Sequence, residues 1–150
     1  MKKILLILSF SLSLWANSVY VKTIDSPMNE VYAKVLASFD KSYLIVVSEI
    51  DILKKFKHAG LPERFGKNFN TNNLTGIKAI IACNGWFGNE VANADPLMMG
   101  FCPIRVTLIE RDGKTSILFV RPLLAPKDSK AYAILKKLDA KVISAINAVN

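Results

Sequence analysis

The chain has 150 residues, 51% of them hydrophobic and 21% charged, and a net charge of +8. That length suffices for one domain that buries a core without disulfide or metal staples. The cations are not interleaved with aromatic residues in a basic run, so nucleic acid is not the expected partner, and an anionic envelope surface or an acidic protein fits better.

The first sixteen residues, MKKILLILSFSLSLWA, have the order of a secretory signal peptide: two lysines, a short apolar run and a small residue at Ala16. The run is shorter than the roughly 20 residues of a membrane span. We therefore expect cleavage near Asn17, export to the periplasm or the cell exterior, and one domain over residues 17–150 with no transmembrane span. A retained N-terminal anchor is the alternative.

The next third predicts a strand, a helix and a second strand. VYVKTI at 19–24 alternates apolar with polar residues, as a half-buried strand does. Ser26 followed by Pro27 is typical of a helix start, with a capping hydroxyl and proline at the first helical position. Apolar residues then recur at helical spacing, at Met28, Val31, Val35 and Phe39. YLIVV at 43–47 is continuously apolar, which favours a strand buried on both faces.

A short helix and a long loop are expected next. Ser48 and Asp51 are three residues apart, as in a capping box with Asp in place of Glu. Gly60 is the residue type preferred just past a helix end. Residues 61–76 carry Pro, Gly and several Asn without any period, so we expect a long loop, more mobile than its flanking elements.

The second half predicts a strand at 77–83, a short helix from about Asn84, a hairpin and a final helix at about 129–148. Asp112-Gly113 between two runs of branched residues is a strong hairpin signal. The last helix has one apolar stripe, formed by Ala131, Leu135, Leu138, Val142, Ile146 and Val149. The resulting order, β-α-β-α-β-α-β-β-α, predicts an α+β domain with a mixed β-sheet covered by helices.

Over residues 35–122 the sequence resembles the domain-of-unknown-function 302 family. Five short motifs carry the resemblance by their order and spacing: Val47-Ser48-Glu49-Ile50-Asp51, Gly60-Leu61, Ala82-Cys83-Asn84, Ala94-Asp95-Pro96 and the strand after Cys102. The resemblance implies a compact α+β domain, often self-associating, with no established activity. Two departures stand out, because Gly85 replaces a proline after Asn84 and Pro103 follows the second cysteine instead of preceding it.

Both cysteines of the chain, Cys83 and Cys102, stand beside breaks in regular structure. Alternate residues of a strand share a face. Cys83 should thus share a face with Ile77, Ala79 and Ile81, and Cys102 with Ile104, Val106 and Leu108. Both faces are apolar, so we expect both thiols to point toward the interior.

The sequence leaves four roles open for these thiols. Buried free cysteines behave as small apolar residues, so both can simply fill the core. Export to an oxidising compartment favours a disulfide between them. Cu(I) or another soft metal would be bound by Cys83, Cys102, Met98 and Met99, with His58 as the one imidazole. A redox or catalytic thiol is the fourth role, because Cys83 precedes a helix start, where the helix dipole lowers a thiol pKa. Cys102-Pro103 resembles a dipeptide of some haem-responsive proteins, which adds haem to the cofactor alternatives.

The chain between the cysteines decides whether they meet. A short helix from Asn84 followed by an extended return over 94–100 would bring Cys102 back to the edge of the sheet that Cys83 leaves. The two strands would then be antiparallel neighbours.

The sequence contains no Gly-x-Ser-x-Gly, P-loop or dinucleotide-binding motif, so it favours a non-enzymatic binding protein of unidentified ligand. The candidate site residues are Cys83, Asn84, Trp86, Phe87 and Cys102. Core packing is the expected role of Trp86 and Phe87, and a pocket wall or a dimer contact near the thiols is the alternative. Two other functions stay open: thiol-redox or soft-metal handling by the two cysteines, and a homodimeric interaction module.

Overall fold

The computed structural model describes residues 18–150, so the predicted signal peptide and its cleavage site lie outside the described residues. Five strands form one sheet within that range: β1 (Val19–Ile24), β2 (Ile45–Asp51), β3 (Gly76–Cys83), β4 (Ile104–Arg111) and β5 (Lys114–Val120). Their spatial order is β1-β5-β4-β3-β2, and each pair is antiparallel. The predicted α+β class is confirmed. The sheet is antiparallel rather than mixed, because the connection between β3 and β4 returns the chain to the end that β3 leaves.

The described range also contains five α-helices: α1 (Met28–Lys41), α2 (Ile52–His58), α3 (Leu61–Phe65), α4 (Gly85–Ala94) and α5 (Tyr132–Asn147). Short 3₁₀ turns occupy Gly66–Asn68, Pro96–Phe101 and Pro122–Leu124. Within residues 18–150, no helix is both long and apolar enough to cross a membrane.

The main core lies between one face of the sheet and the helices α1 and α5. The apolar stripes predicted on these two helices are buried, which confirms both periodic patterns. Most of their residues lie in this core, whereas Ala131 and Leu135 pack in a second apolar cluster with Val91. The sheet contributes Ile80, Ala82, Ile104, Val106, Leu108, Ile117 and Phe119 to the same cluster. We call this side of the sheet the helix face.

The structure differs from the prediction at the starts of two helices, α1 and α2. Pro27, not Ser26, immediately precedes α1, and no side chain caps that helix. Ser26 instead accepts a hydrogen bond at its carbonyl from the Thr115 hydroxyl (2.9 Å). Asp51 alone caps α2, because its carboxylate accepts the Lys54 amide (2.9 Å) while Ser48 remains in β2.

The prediction that residues 43–47 form a strand buried on both faces is wrong. β2 begins at Ile45 and lies at the edge of the sheet, where Ile45 and Val47 are exposed. A register shift between Val46 and Ser48 interrupts the pairing at this point, as a bulge at a sheet edge does.

Two segments expected to be irregular or extended are partly helical. Residues 61–68 form α3 and a 3₁₀ turn, and Gly60 has a φ of 70°, which permits the sharp change of direction between α2 and α3. The segment predicted as an extended return over 94–100 instead contains a 3₁₀ turn. Asp95 stands just before Pro96, and its carboxylate accepts a hydrogen bond from the Leu97 amide (3.2 Å), which starts the turn. The predicted mobility of residues 61–76 stays a prediction.

Candidate functional site

The two cysteines lie at the same end of neighbouring strands. Cys83 ends β3, and Cys102 stands two residues before β4, where the pairing of Ala82 with Ile104 closes the antiparallel ladder. The antiparallel arrangement predicted from the sequence is therefore present. Both thiols are free and half-buried, so no disulfide joins them.

The two thiols have different packing partners, although they lie near each other. Cys83 is the last residue of β3 and pairs with the exposed Ile45 of β2. Cys102 packs against the helix-side core. A Cβ atom added to Gly88 of α4 would lie 3.8 Å from Sγ of Cys83.

The surroundings of Cys102 disfavour its thiolate. Burial, and to a lesser extent the nearby Cys83, raise the pKa of the Cys102 thiol. Metal binding and nucleophilic attack both require the thiolate. Cys102 therefore stays protonated at neutral pH, as a small core residue does.

The other predicted soft-metal ligands are dispersed. Met98 packs in a second apolar cluster with Val91 and Leu135, and Met99 is exposed. His58 ends α2, near the start of β3, whereas Cys83 lies at the other end of that strand. In the described part of the chain, no group of three or more His, Cys, Asp or Glu residues is placed to hold a metal ion.

Asn84 joins two elements at the cysteine end of the sheet. Its side-chain oxygen accepts the Phe87 amide (3.1 Å) and caps α4, while its side-chain nitrogen donates to the Tyr43 carbonyl (2.9 Å). Phe87 packs on the core, but Trp86, its neighbour in the first turn, is 60% exposed, so the core prediction fails for Trp86. The two rings meet edge to face at 4.9 Å.

Exposed apolar side chains collect at this end. Tyr43, Ile45, Val47 and Trp86 are all more than half exposed. Ile45 pairs with Cys83 in the ladder, and Tyr43 is tied to α4 through Asn84. We call these four residues the cysteine-edge surface. They form an apolar surface next to an unpaired strand edge. The sequence had predicted that these residues lie in the core.

A pocket of about 270 Å³ lies at the opposite end of β3, on the side away from the helix face. It is formed by α2, α3 and the turn that follows. Its apolar lining consists of Leu53, Phe56, Leu61, Phe65, Phe69 and Ile77, and its polar lining of Asn68 and Asn70. We call it the aromatic pocket.

The local sequence explains how this pocket stays open. Gly60 turns the chain so that α3 returns beside α2. Asn70 fixes the far wall, because its side chain both donates to the Leu74 carbonyl (2.8 Å) and accepts the Leu74 amide (3.0 Å). Sequence reasoning missed this site because it treated residues 61–76 as a loop. The available signal was the recurrence of Phe56, Phe65 and Phe69 in an otherwise polar stretch.

A second cavity, of about 380 Å³, lies beside it and shares Leu53 and Ile77 as lining residues. Three lysines, Lys54, Lys57 and Lys78, line this lysine cleft, together with the acids Asp51 and Glu110 and the polar residues Asn29 and Thr75. Among the described residues, none of the three lysines has a carboxylate within ion-pair distance.

Lys78 is held by an aromatic ring instead of a carboxylate. Its ammonium lies 4.7 Å from the centre of the Tyr32 ring. The Tyr32 hydroxyl donates a hydrogen bond to Glu49. Burial and that hydrogen bond raise the pKa of Tyr32 far above its ordinary value, so the hydroxyl stays neutral.

The fold and its cavities define a small α+β domain, with an antiparallel sheet backed by helices on one face and a pocket on the other. The family model described as "Domain of unknown function DUF302" matches residues 20–149, and the chain belongs to that family. The match extends beyond both ends of the region where the resemblance is visible in the sequence.

A crystal structure of an uncharacterized conserved DUF302 protein from Bacillus stearothermophilus has the same fold. The TM-score is 0.77 at 18% sequence identity, and the similarity covers 90% of this chain and 100% of that chain. At such identity the likeness shows the fold alone. No curated protein matches the chain.

Proposed function

We propose that this protein is a binding module that holds a small apolar molecule in the aromatic pocket without reacting with it. The observation that carries the proposal is the apolar lining of this pocket, in which three phenylalanines surround a cavity of about 270 Å³. Its volume lies just below the range of about 300–1,000 Å³ that is usual for ligand sites, and a mostly apolar lining with a few polar groups is typical of them.

The exposure of the pocket aromatics supports this proposal. Phe56 is 40% exposed and Phe65 is 49% exposed. When a ligand covers large apolar side chains at a concave site, their removal from water lowers the free energy of the complex. No nucleophile or ionisable group is among the described lining residues, so the lining supports binding rather than chemistry.

Titration with the neutral fluorescent probe 1-N-phenylnaphthylamine tests the proposal. We expect saturable binding of one probe per chain, weakened about tenfold by Phe65→Ser, the equivalent of about 1.4 kcal/mol of lost apolar contact. Trp86→Ser is the matched control, because it removes another exposed aromatic residue and should leave probe binding unchanged. Non-saturable binding, or equal losses in the two variants, would contradict the proposal.

Self-association is a second candidate, favoured by the cysteine-edge surface. This surface adjoins β2, whose outer edge has no strand partner within the described sheet. Unpaired edges and exposed apolar residues both favour contact with another chain, and a second copy forms an isologous contact most simply. The occupant that we propose is therefore a second copy of this chain.

Other expectations from the sequence have weaker structural support. The thiol-redox and soft-metal alternatives depend on Cys83 and Cys102, and the raised pKa of the Cys102 thiol disfavours the thiolate that both would need. The expectation of export rests on the signal-peptide pattern of the first sixteen residues. The expectation of attraction to an anionic envelope surface rests on the net charge of +8.

A further inference from the structure

We infer that the molecule bound by this protein is an amphiphilic anion, whose apolar part occupies the aromatic pocket and whose carboxylate or phosphate lies in the lysine cleft. This inference rests on the proposed function and names its ligand class. The observation behind it is that an apolar and a cationic cavity adjoin at one end of the sheet.

The two cavities have a common wall. Leu53 from α2 and Ile77 from β3 line both of them. Phe56 lines the apolar side, whereas Lys54 and Lys57 of the same helix line the other. A molecule that extends past Leu53 and Ile77 therefore meets an apolar environment at one end and ammonium groups at the other.

The charges of the cleft favour an anion. Three lysines line it against two acids, Asp51 and Glu110. One of these acids is already engaged, since an Asp51 oxygen accepts the Lys54 amide at the start of α2. Like charges that share a cleft without carboxylate partners repel each other, and an anionic group between them relieves that repulsion.

The polar groups around the lysines suit an oxygen anion. Lysine binds carboxylate and phosphate as a point charge, and Asn29 adds an amide to the same cleft. Lys78 is held over Tyr32, so one of the three ammonium groups has a defined position before any ligand binds. A cation would meet three like charges in this cleft and is disfavoured.

Calorimetric titration with decanoate, decyl phosphate and decanol, all kept monomeric, tests the inference. The three probes share one chain and differ in the head group. We expect both anions to bind at least tenfold more tightly than decanol at low ionic strength. The preference should shrink in 1 M salt, because salt screens partly exposed charges.

Charge variants locate the head group. Lys54→Gln with Lys57→Gln should reduce the preference for decanoate over decanol to less than threefold, while 1-N-phenylnaphthylamine still binds. Lys136→Gln with Lys137→Gln is the matched control, because both lysines are exposed on α5 and the change in net charge is the same. This control should keep the full preference.

Four outcomes would overturn the inference. Equal affinity for decanoate and decanol leaves the proposed function standing with a neutral ligand, and equal losses in the two double variants would show that net charge, not the lysine cleft, sets the preference. Binding to phosphatidylglycerol vesicles without any binding of monomeric decanoate or decyl phosphate shows a surface contact in place of a pocket. If neither the fluorescent probe nor any decyl compound binds, the proposed function itself fails.

Discussion

Cys83 and Cys102 are chemically identical side chains with different surroundings. Cys102 packs against the helix-side core, whereas the Cys83 sulfur lies next to Gly88 of α4. A thiol reacts through its thiolate, so its surroundings control its reactivity. The reactivity of the two thiols therefore reports on the surroundings of each cysteine.

We expect Cys102 to react with iodoacetamide more slowly in the folded protein than in urea at pH 8. Burial and the neighbouring Cys83 raise its pKa, so the protonated form persists to higher pH and the rate should rise with a midpoint above about 8.5, the ordinary value. Mass spectrometry of the labelled peptides between pH 7 and 10 measures this.

Cys83→Ser serves as the control for that measurement. It removes the contribution of Cys83 but leaves the burial of Cys102, so the midpoint should move part of the way back toward the ordinary value. If Cys102 reacts equally fast in folded and unfolded protein at pH 8, its described surroundings are wrong.

At the scale of elements, one ion pair connects the end of β5 to α5. Arg121 follows β5, and its Nε and Nη2 donate to the two carboxylate oxygens of Asp139 at 3.0 and 2.6 Å. The Asp139 side chain is only 4% exposed. Because α5 covers the sheet mainly through apolar contacts, this pair gives the packing one directional constraint.

Arg121→Met should lower the free energy of unfolding by about 3 kcal/mol, because it leaves a buried carboxylate without its partner. Arg111→Met is the matched control. Arg111 pairs with Asp112 at 3.4 Å, but both side chains are mostly exposed, so the cost should stay below about 1 kcal/mol. Urea unfolding followed by circular dichroism compares the two, and similar losses would show that the Arg121 pair has no special role.

At the scale of the whole molecule, the sheet has two edges of different character. β1 and β2 are the outer strands, and each exposes apolar side chains, such as Val21 on β1 and Ile45 on β2. Among residues 18–150, only the β2 edge adds exposed aromatic residues, Tyr43 and Trp86, at its cysteine end. The structure therefore favours self-association through the β2 side.

We expect light scattering to show a dimer at micromolar concentrations. Ile45→Lys should shift it to a monomer, because a charge in an apolar contact must be desolvated. Val21→Lys places the same charge on the other edge strand and should leave the dimer intact. A monomer at all concentrations, or dissociation by both variants, would contradict the second candidate function.

Local patterns in the sequence were enough for most elements. The stripes of α1 and α5 follow from helical periodicity. The hairpin follows from Asp112 and Gly113, whose φ angles of 54° and 72° are those that the tight turn requires. Asn84 similarly caps α4 as its position before the helix predicts. Each of these features depends on interactions within a few residues of the chain.

The candidate site was less predictable than the fold. The sequence drew attention to Cys83, Cys102 and Trp86, but it could not show which elements each thiol packs against or that Trp86 is exposed. The aromatic pocket was missed because α3 is only five residues long. A helix this short shows no complete apolar period, so composition alone makes it look like a loop.

The amino-acid sequence by itself determined the α+β class, the order of the elements apart from α3, and the inward stripes of α1 and α5, because periodicity, caps and turns act over a few neighbouring residues. The tertiary structure decided that β2 is an edge strand and which elements each cysteine packs against. It also decided that Phe56, Phe65 and Ile77 meet around one cavity. These features depend on which distant strands become neighbours and on which face the helices cover, and the alternation of a single strand is the same for either face.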